Sequence, residues 1–270
     1  AFCPKTASAA TSNRPMTRTM RIDLKRRLGL AFGALIAMTL PAVADICESR
    51  DFDGQGYVIC TLNAAQEPGL RLWLNGPGGQ VLGDFTAVRR TLAPDETLAF
   101  AMNAGMYHAD YSPVGLYVSD GAQSHDLVTA GGAGNFGMLP NGVFCAGGAR
   151  AFQVIESRAF AKARPQCRIA TQSGPMLVID GALHPRFLVD SDSRYVRNGV
   201  GVSPDGQTAW FAISDRAVTF HEFGRLFRDG LGARDALYFD GSISRLYAPA
   251  LNRADFGRRL GPIIGYVERN

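Results

Sequence analysis

No C-x-x-C pair occurs in the sequence, and His108, His125, His184 and His221 are scattered without ligand spacing. A zinc or iron site therefore has no sequence support, and neither a metal nor a cofactor is expected. G-x-S-x-G is also missing. Ser173 lies in Thr171-Gln172-Ser173-Gly174-Pro175 with no helix signal behind it, which argues against a serine hydrolase. The apolar run 28–40 has 13 residues, too few for an ordinary transmembrane helix. No sequence repeat of the solenoid kind is present.

An excess of basic charge is missing too, once the front of the chain is set aside. Met20 opens a segment with Arg21, Lys25, Arg26 and Arg27, then the apolar run, then Ala42-Val43-Ala44. That order reads as a secretory signal peptide over residues 20–44, cut after Ala44, which implies a periplasmic or secreted protein with no membrane span after cleavage. Residues 1–19 read as a non-native or upstream segment, with Met16 as an alternative start. The first 44 residues hold seven of the 28 Lys+Arg and one of the 24 Asp+Glu, leaving 21 against 23 in residues 45–270. Nucleic acid as a partner loses its electrostatic basis. The remaining 226 residues suit a single domain with one sizeable core. No pattern in the chain speaks to oligomeric state.

Four cysteines follow Ala44: Cys47, Cys60, Cys145 and Cys167. An even count in an exported chain suggests two disulfides, for which three pairings exist. Cys47–Cys60 with Cys145–Cys167 is favoured, because each closes a short loop, with about 3 kcal/mol expected per bridge.

Apolar β-rich runs at 57–62, 70–74, 97–102, 116–119, 136–139, 143–145, 176–179, 199–203, 208–213 and 235–239 are punctuated by turn dipeptides. Asp120-Gly121, Asn141-Gly142, Asp180-Gly181 and Asp205-Gly206 suit the positive φ of tight hairpins. Helix signals are sparse. Thr219 and Glu222 have capping-box spacing, and Phe220, Phe223, Phe227 and Leu231 share one face, so a helix is expected over 219–231. A weaker helix pattern covers 151–163. The fold class is α+β: a strand-rich, largely antiparallel or mixed sheet core with one or two packed helices. Gly132-Ala133-Gly134-Asn135-Phe136-Gly137 matches G-x-G-x-x-G, but a hairpin pattern follows instead of a helix, so a dinucleotide site is rejected.

The segment 236–244, Ala-Leu-Tyr-Phe-Asp-Gly-Ser-Ile-Ser, ends a buried strand on Asp240. A carboxylate where core meets solvent can be tuned for acid, base or nucleophile work; Asp240-Gly241 also has the composition of a plain turn. Arg197-Asn198-Gly199 opens another strand, and its guanidinium is either solvated or an anion clamp.

Taken in order, Met102-Asn103-Ala104-Gly105-Met106-Tyr107, Pro113-Val114-Gly115 with Asp120-Gly121, Asn135-Phe136-Gly137, Gln172-Ser173-Gly174-Pro175, Arg197-Asn198-Gly199-Val200-Gly201 and Asp240-Gly241-Ser242-Ile243-Ser244 resemble the phosphodiester glycosidase family across about residues 95–265. Bacterial members of that family are often labelled exopolysaccharide-related. The resemblance implies hydrolysis between a sugar's anomeric carbon and a phosphodiester oxygen, on a carbohydrate or sugar-phosphate substrate. It assigns Asp240 as the catalytic carboxylate and Arg197 as the phosphate clamp. Asn103, Gly105, Ser173, Gly174 and Ser244 line the substrate, and Asp110, Asp190, Asp192 or Asp215 is the second carboxylate. Asn103-Ala104-Gly105, Arg197-Asn198-Gly199 and the Ser242-Ile243 pair depart from the family's N-G-G, R-[TS]-A and glycine-rich D-G-G-G-S patterns. The last departure keeps a rival open, a periplasmic glycan-binding or exopolysaccharide-assembly protein without catalysis.

Overall fold

The computed structural model describes residues 45–240 and 242–270. The signal peptide and the segment before it lie outside the described residues, as does Gly241. The described chain forms three antiparallel sheets. The seven-stranded sheet runs, in spatial order, Cys47–Phe52, Gln55–Asn63, Thr208–Ser214, Asn198–Val202, Asp235–Asp240, Met176–Ile179 and Ala182–Leu183. A five-stranded sheet orders Arg253–Ala254, Leu246–Ala248, Glu96–Asn103, Ile263–Arg269 and Leu70–Trp73. The other five-stranded sheet orders Ala122–His125, Tyr117–Ser119, Ile169–Ser173, Gly142–Ala146 and Phe152–Glu156. With few helices packed on these sheets, the chain is α+β.

Turn chemistry explains much of the pairing. At Asp53-Gly54, Asp120-Gly121 and Asp180-Gly181 both residues have positive φ, 47–49° at the aspartate and 73–80° at the glycine. This is the two-residue hairpin geometry whose twist matches paired strands. Asn141-Gly142 makes no hairpin. Residues 136–139, expected as a strand, form turns and bends, followed by a cis Leu139-Pro140 bond. Pro140 removes a donor that a ladder would need.

The expected capping box is present: Thr219 Oγ1 accepts from Glu222 N at 3.1 Å, and Glu222 Oε2 accepts from Thr219 N at 2.8 Å. The helix it starts covers Phe220–Arg225 and widens into one π turn, Leu226–Gly230. Phe223 and Phe227 are buried against Tyr57, Leu177 and Tyr238 in one of the core clusters. The 151–163 helix pattern is corrected to a strand, Phe152–Glu156, followed by a short helix, Ser157–Ala163. Phe152 and Val154 alternate inward, a period of two that outweighs the helical spacing.

Both disulfides take the favoured pairing. Cys47 and Cys60 stand opposite each other in register and are bonded, and Cys145 is bonded to Cys167. No helix among the described residues is long and apolar enough to cross a membrane.

Candidate active site at the meeting of three sheets

Asp240 ends the Asp235–Asp240 strand, Asn103 ends Glu96–Asn103, and Ser173 ends Ile169–Ser173, one strand from each sheet. The run Ala236, Leu237, Tyr238 and Phe239 is continuous because core clusters cover both faces of this strand: Leu237 and Phe239 on one, Ala236 and Tyr238 on the other. Asn198 is paired with Asp240 and Gly199 with Tyr238, so Phe239 is an extra, bulged residue. A bulge re-aims the residue beside it, here Asp240. Ser173 Oγ donates to the bulged Phe239 carbonyl at 2.6 Å, deep in the core. Its hydroxyl therefore ties the third sheet to the strand that carries the carboxylate.

Asn198 is the centre of the polar network. Its Nδ2 donates to the Asn103 carbonyl at 2.8 Å. Its Oδ1 accepts from Asn103 Nδ2 at 3.1 Å and from Ser244 Oγ at 3.2 Å. Asn103 Oδ1 in turn accepts from Arg245 N at 2.9 Å. Ser244 Oγ also lies 2.5 Å from the Asp240 carbonyl, and Asp240 Oδ1 accepts from Ser242 N at 2.9 Å. Both asparagines are wholly buried, where amides are costly unless paired.

Arg197 has no exposed surface. Nε donates to the Val218 carbonyl at 2.8 Å and Nη2 to the Ser193 carbonyl at 2.9 Å. The guanidinium carbon stands 3.7 Å over the Phe220 ring, with Tyr195 and Tyr238 each at 5.4 Å. Burial pulls the Arg197 pKa down and pushes the Tyr238 phenol up. Arg197 Nη1 and Tyr238 Oη are both buried without a hydrogen-bond partner.

Gly105 and Gly174 permit close approach to the protein's own chain. A Cβ at Gly105 would stand 2.3 Å from the Gln172 carbonyl oxygen, and one at Gly174 would stand 2.7 Å from Asn141 Cβ. His184 is buried and stacked on Phe187, and burial pulls its pKa down.

Two residues without a periodic signal complete the site. Tyr107 Oη donates to the Arg259 carbonyl at 3.2 Å, and burial together with the Asp240 charge pushes its pKa up to about 12. Arg245 is 9% exposed, and its guanidinium has no hydrogen bond or ion pair among the described residues. Burial lowers its pKa, and Tyr107 and Asp255 act on it electrostatically. The segment 242–245 and the stretch 253–258 wall an open cavity of about 650 Å³. Of the four aspartates proposed as a second carboxylate, Asp215 lines this cavity, paired with Arg253 at 2.8 Å. Asp110 instead accepts from Ser112 N and Oγ in an exposed turn.

The arrangement sets a carboxylate at a strand end, an amide network behind it and, at the wall of an open cavity, an arginine, a side chain whose planar fork can take an anion. Residues 96–266 match the phosphodiester glycosidase family, and the chain belongs to that family. It is 34% identical to the Escherichia coli (strain K12) uncharacterized protein YigE over 229 residues, 84% of this chain and 86% of that protein. Its fold is similar to that of the zebrafish N-acetylglucosamine-1-phosphodiester α-N-acetylglucosaminidase catalytic domain, auto-inhibited by its pro-peptide. That likeness has a TM-score of 0.59 at 14% identity, over 84% of this chain and 85% of that one.

Proposed function

We propose that the protein hydrolyses sugar-1-phosphodiesters in the periplasm or outside the cell, with N-acetylglucosamine as the sugar and an exopolysaccharide-related role. The observation that carries this reading is the placement of Asp240 on a bulged strand end, directly before the segment 242–245 that lines an open cavity. Asp240 supplies the carboxylate that an oxocarbenium-like transition state needs, as nucleophile or as base for water. A phosphate leaving group is a weak base, so little general-acid help is required. Arg245, at the cavity wall, meets the phosphate charge. Arg197 is enclosed by rings and carbonyls and holds the strand mouth beside Asn198. Asn103 and Ser244 hold the segment that carries Arg245, and Asp215 is the second carboxylate. Two disulfides fit an exported compartment.

The second reading, glycan binding without catalysis, is favoured by Ser242 and Ile243. Both line the cavity where the family pattern has glycine. Release of N-acetylglucosamine from its methyl 1-phosphodiester separates the two readings. Asp240→Asn is expected to reduce turnover at least about a hundredfold at an unchanged melting midpoint. Near-normal turnover removes Asp240 from the chemistry, while binding without release by the wild-type chain favours the second reading.

A further inference from the structure

The cavity walled by 242–245 and 253–258 divides by chemistry. Its carboxylates are already engaged: Asp215 Oδ1 takes Arg253 Nη1 at 2.8 Å, and Asp255 Oδ2 takes Arg253 Nη2 at 3.1 Å and Leu246 N at 2.9 Å. Ser244 is held by Asn198 and the Asp240 carbonyl. Arg245 and Arg258 line the cavity, and neither guanidinium makes a hydrogen bond or ion pair among the described residues. Two guanidiniums with no hydrogen bond among the described residues suit one anion. Beyond them the lining is Ser242 and the apolar Val196, Ile243, Ala254 and Phe256.

Phe256 is 95% exposed, more than any other large hydrophobic residue described. Its loop is anchored on both sides. Asp255 is tied to Leu246 through both its backbone and its side chain. Gly257, at φ 141°, lies against the Arg245 guanidinium, where a Cβ would stand 2.9 Å from Nη2. The bare ring is thus presented by a fixed loop at the rim of a cationic cavity.

We infer that this part of the cavity takes the aglycone of the diester and selects a hydrocarbon chain. The inference rests on the function proposed above and names its substrate class: a sugar-1-phosphodiester whose second ester carries an alkyl or isoprenoid group. A second sugar would need several acceptors for its hydroxyls, and on this wall the Asp215 and Asp255 carboxylates both hold Arg253 and Ser244 is held by Asn198, which leaves Ser242 as the one other hydroxyl of the lining. An alkyl chain asks only for apolar contact, which Phe256, Ile243 and Val196 supply.

The test compares the methyl, octyl and pyranosyl 1-phosphodiesters of N-acetylglucosamine, the octyl compound below its micelle concentration, on the full chain and on Phe256→Ser. Octyl is expected to exceed methyl by at least about tenfold in kcat/KM, mainly through KM. Phe256→Ser, at an exposed position, should erase most of that gain and leave the methyl diester unchanged. A preference for the pyranosyl diester, or an octyl gain untouched by Phe256→Ser, overturns the inference. Calorimetric binding of the non-hydrolysable C-glycoside phosphonates of the same three aglycones supplies the second readout. Octyl-selective binding without turnover of any diester would sink the hydrolase reading and leave the apolar subsite standing. Equal binding of all three removes the subsite whether or not turnover occurs.

Discussion

Asn103 and Asn198 hold each other by two hydrogen bonds of opposite sense, Asn103 Nδ2 to Asn198 Oδ1 at 3.1 Å and Asn198 Nδ2 to the Asn103 carbonyl at 2.8 Å. One residue ends a strand of a five-stranded sheet and the other begins a strand of the seven-stranded sheet. The pair is a clasp between sheets, and Ser244 and Arg245 hang from it.

Asn198→Ala takes the Asn198 partner from the buried Asn103 carbonyl and from Asn103 Nδ2, while Asn103 Oδ1 keeps Arg245 N. Leaving a buried polar group unpaired costs about 1–3 kcal/mol, so a urea titration should show that loss with an unchanged slope. Turnover on a sugar-1-phosphodiester should fall as well, because the segment behind Asp240 loses its tether. An unchanged urea midpoint would show that the clasp is dispensable.

The two arginines of the site separate in kinetics. Arg245→Met removes the cation proposed to face the phosphate, so KM should rise at least about tenfold, consistent with a charge-assisted hydrogen bond of about 1.5–3 kcal/mol. Arg197→Met removes a buried cation with carbonyl and ring partners. It should lower stability and kcat, with a smaller change in KM. The reverse pattern, KM rising in Arg197→Met alone, would return the clamp role to Arg197.

Strand 235–240 and its terminal aspartate are legible in the sequence because an unbroken apolar run before a charged residue has few other readings. The two disulfides are legible from spacing and export. Asn198 carries no such signal: a buried asparagine in a strand breaks no pattern that points to a partner 95 residues earlier. Arg245 and Tyr107 are placed by loops that meet only after three sheets have formed. Ser173 is visible as a motif residue, yet its bond to the Phe239 carbonyl depends on a bulge, and a bulge leaves no periodic trace. Residues 136–139 have strand-like composition, and the cis Leu139-Pro140 bond that follows them is a local choice invisible to an apolar count.

Acid should weaken the fold through Glu96. Arg71 donates to both its carboxylate oxygens and Ala93 N to Oε2, which holds its pKa at about 2, below the ordinary 4.5. A depressed carboxylate contributes stability that is present above its ordinary pKa and is lost as pH falls toward the folded-state value. The melting midpoint should therefore decline between roughly pH 4.5 and 2, and less steeply in Glu96→Gln. Identical slopes in the two proteins would assign the acid sensitivity to other groups, Asp229 among them, whose pair with Arg228 lowers its pKa to about 2.

The meeting of three strand ends at one point gives the site no single owner. Each sheet holds one corner through Asp240, Asn103 or Ser173, and buried core packs behind each of the three strands. A substitution in the packing of any sheet can shift its corner, because close-packed interiors transmit strain. The geometry at Asp240 can therefore change while every residue around it stays the same.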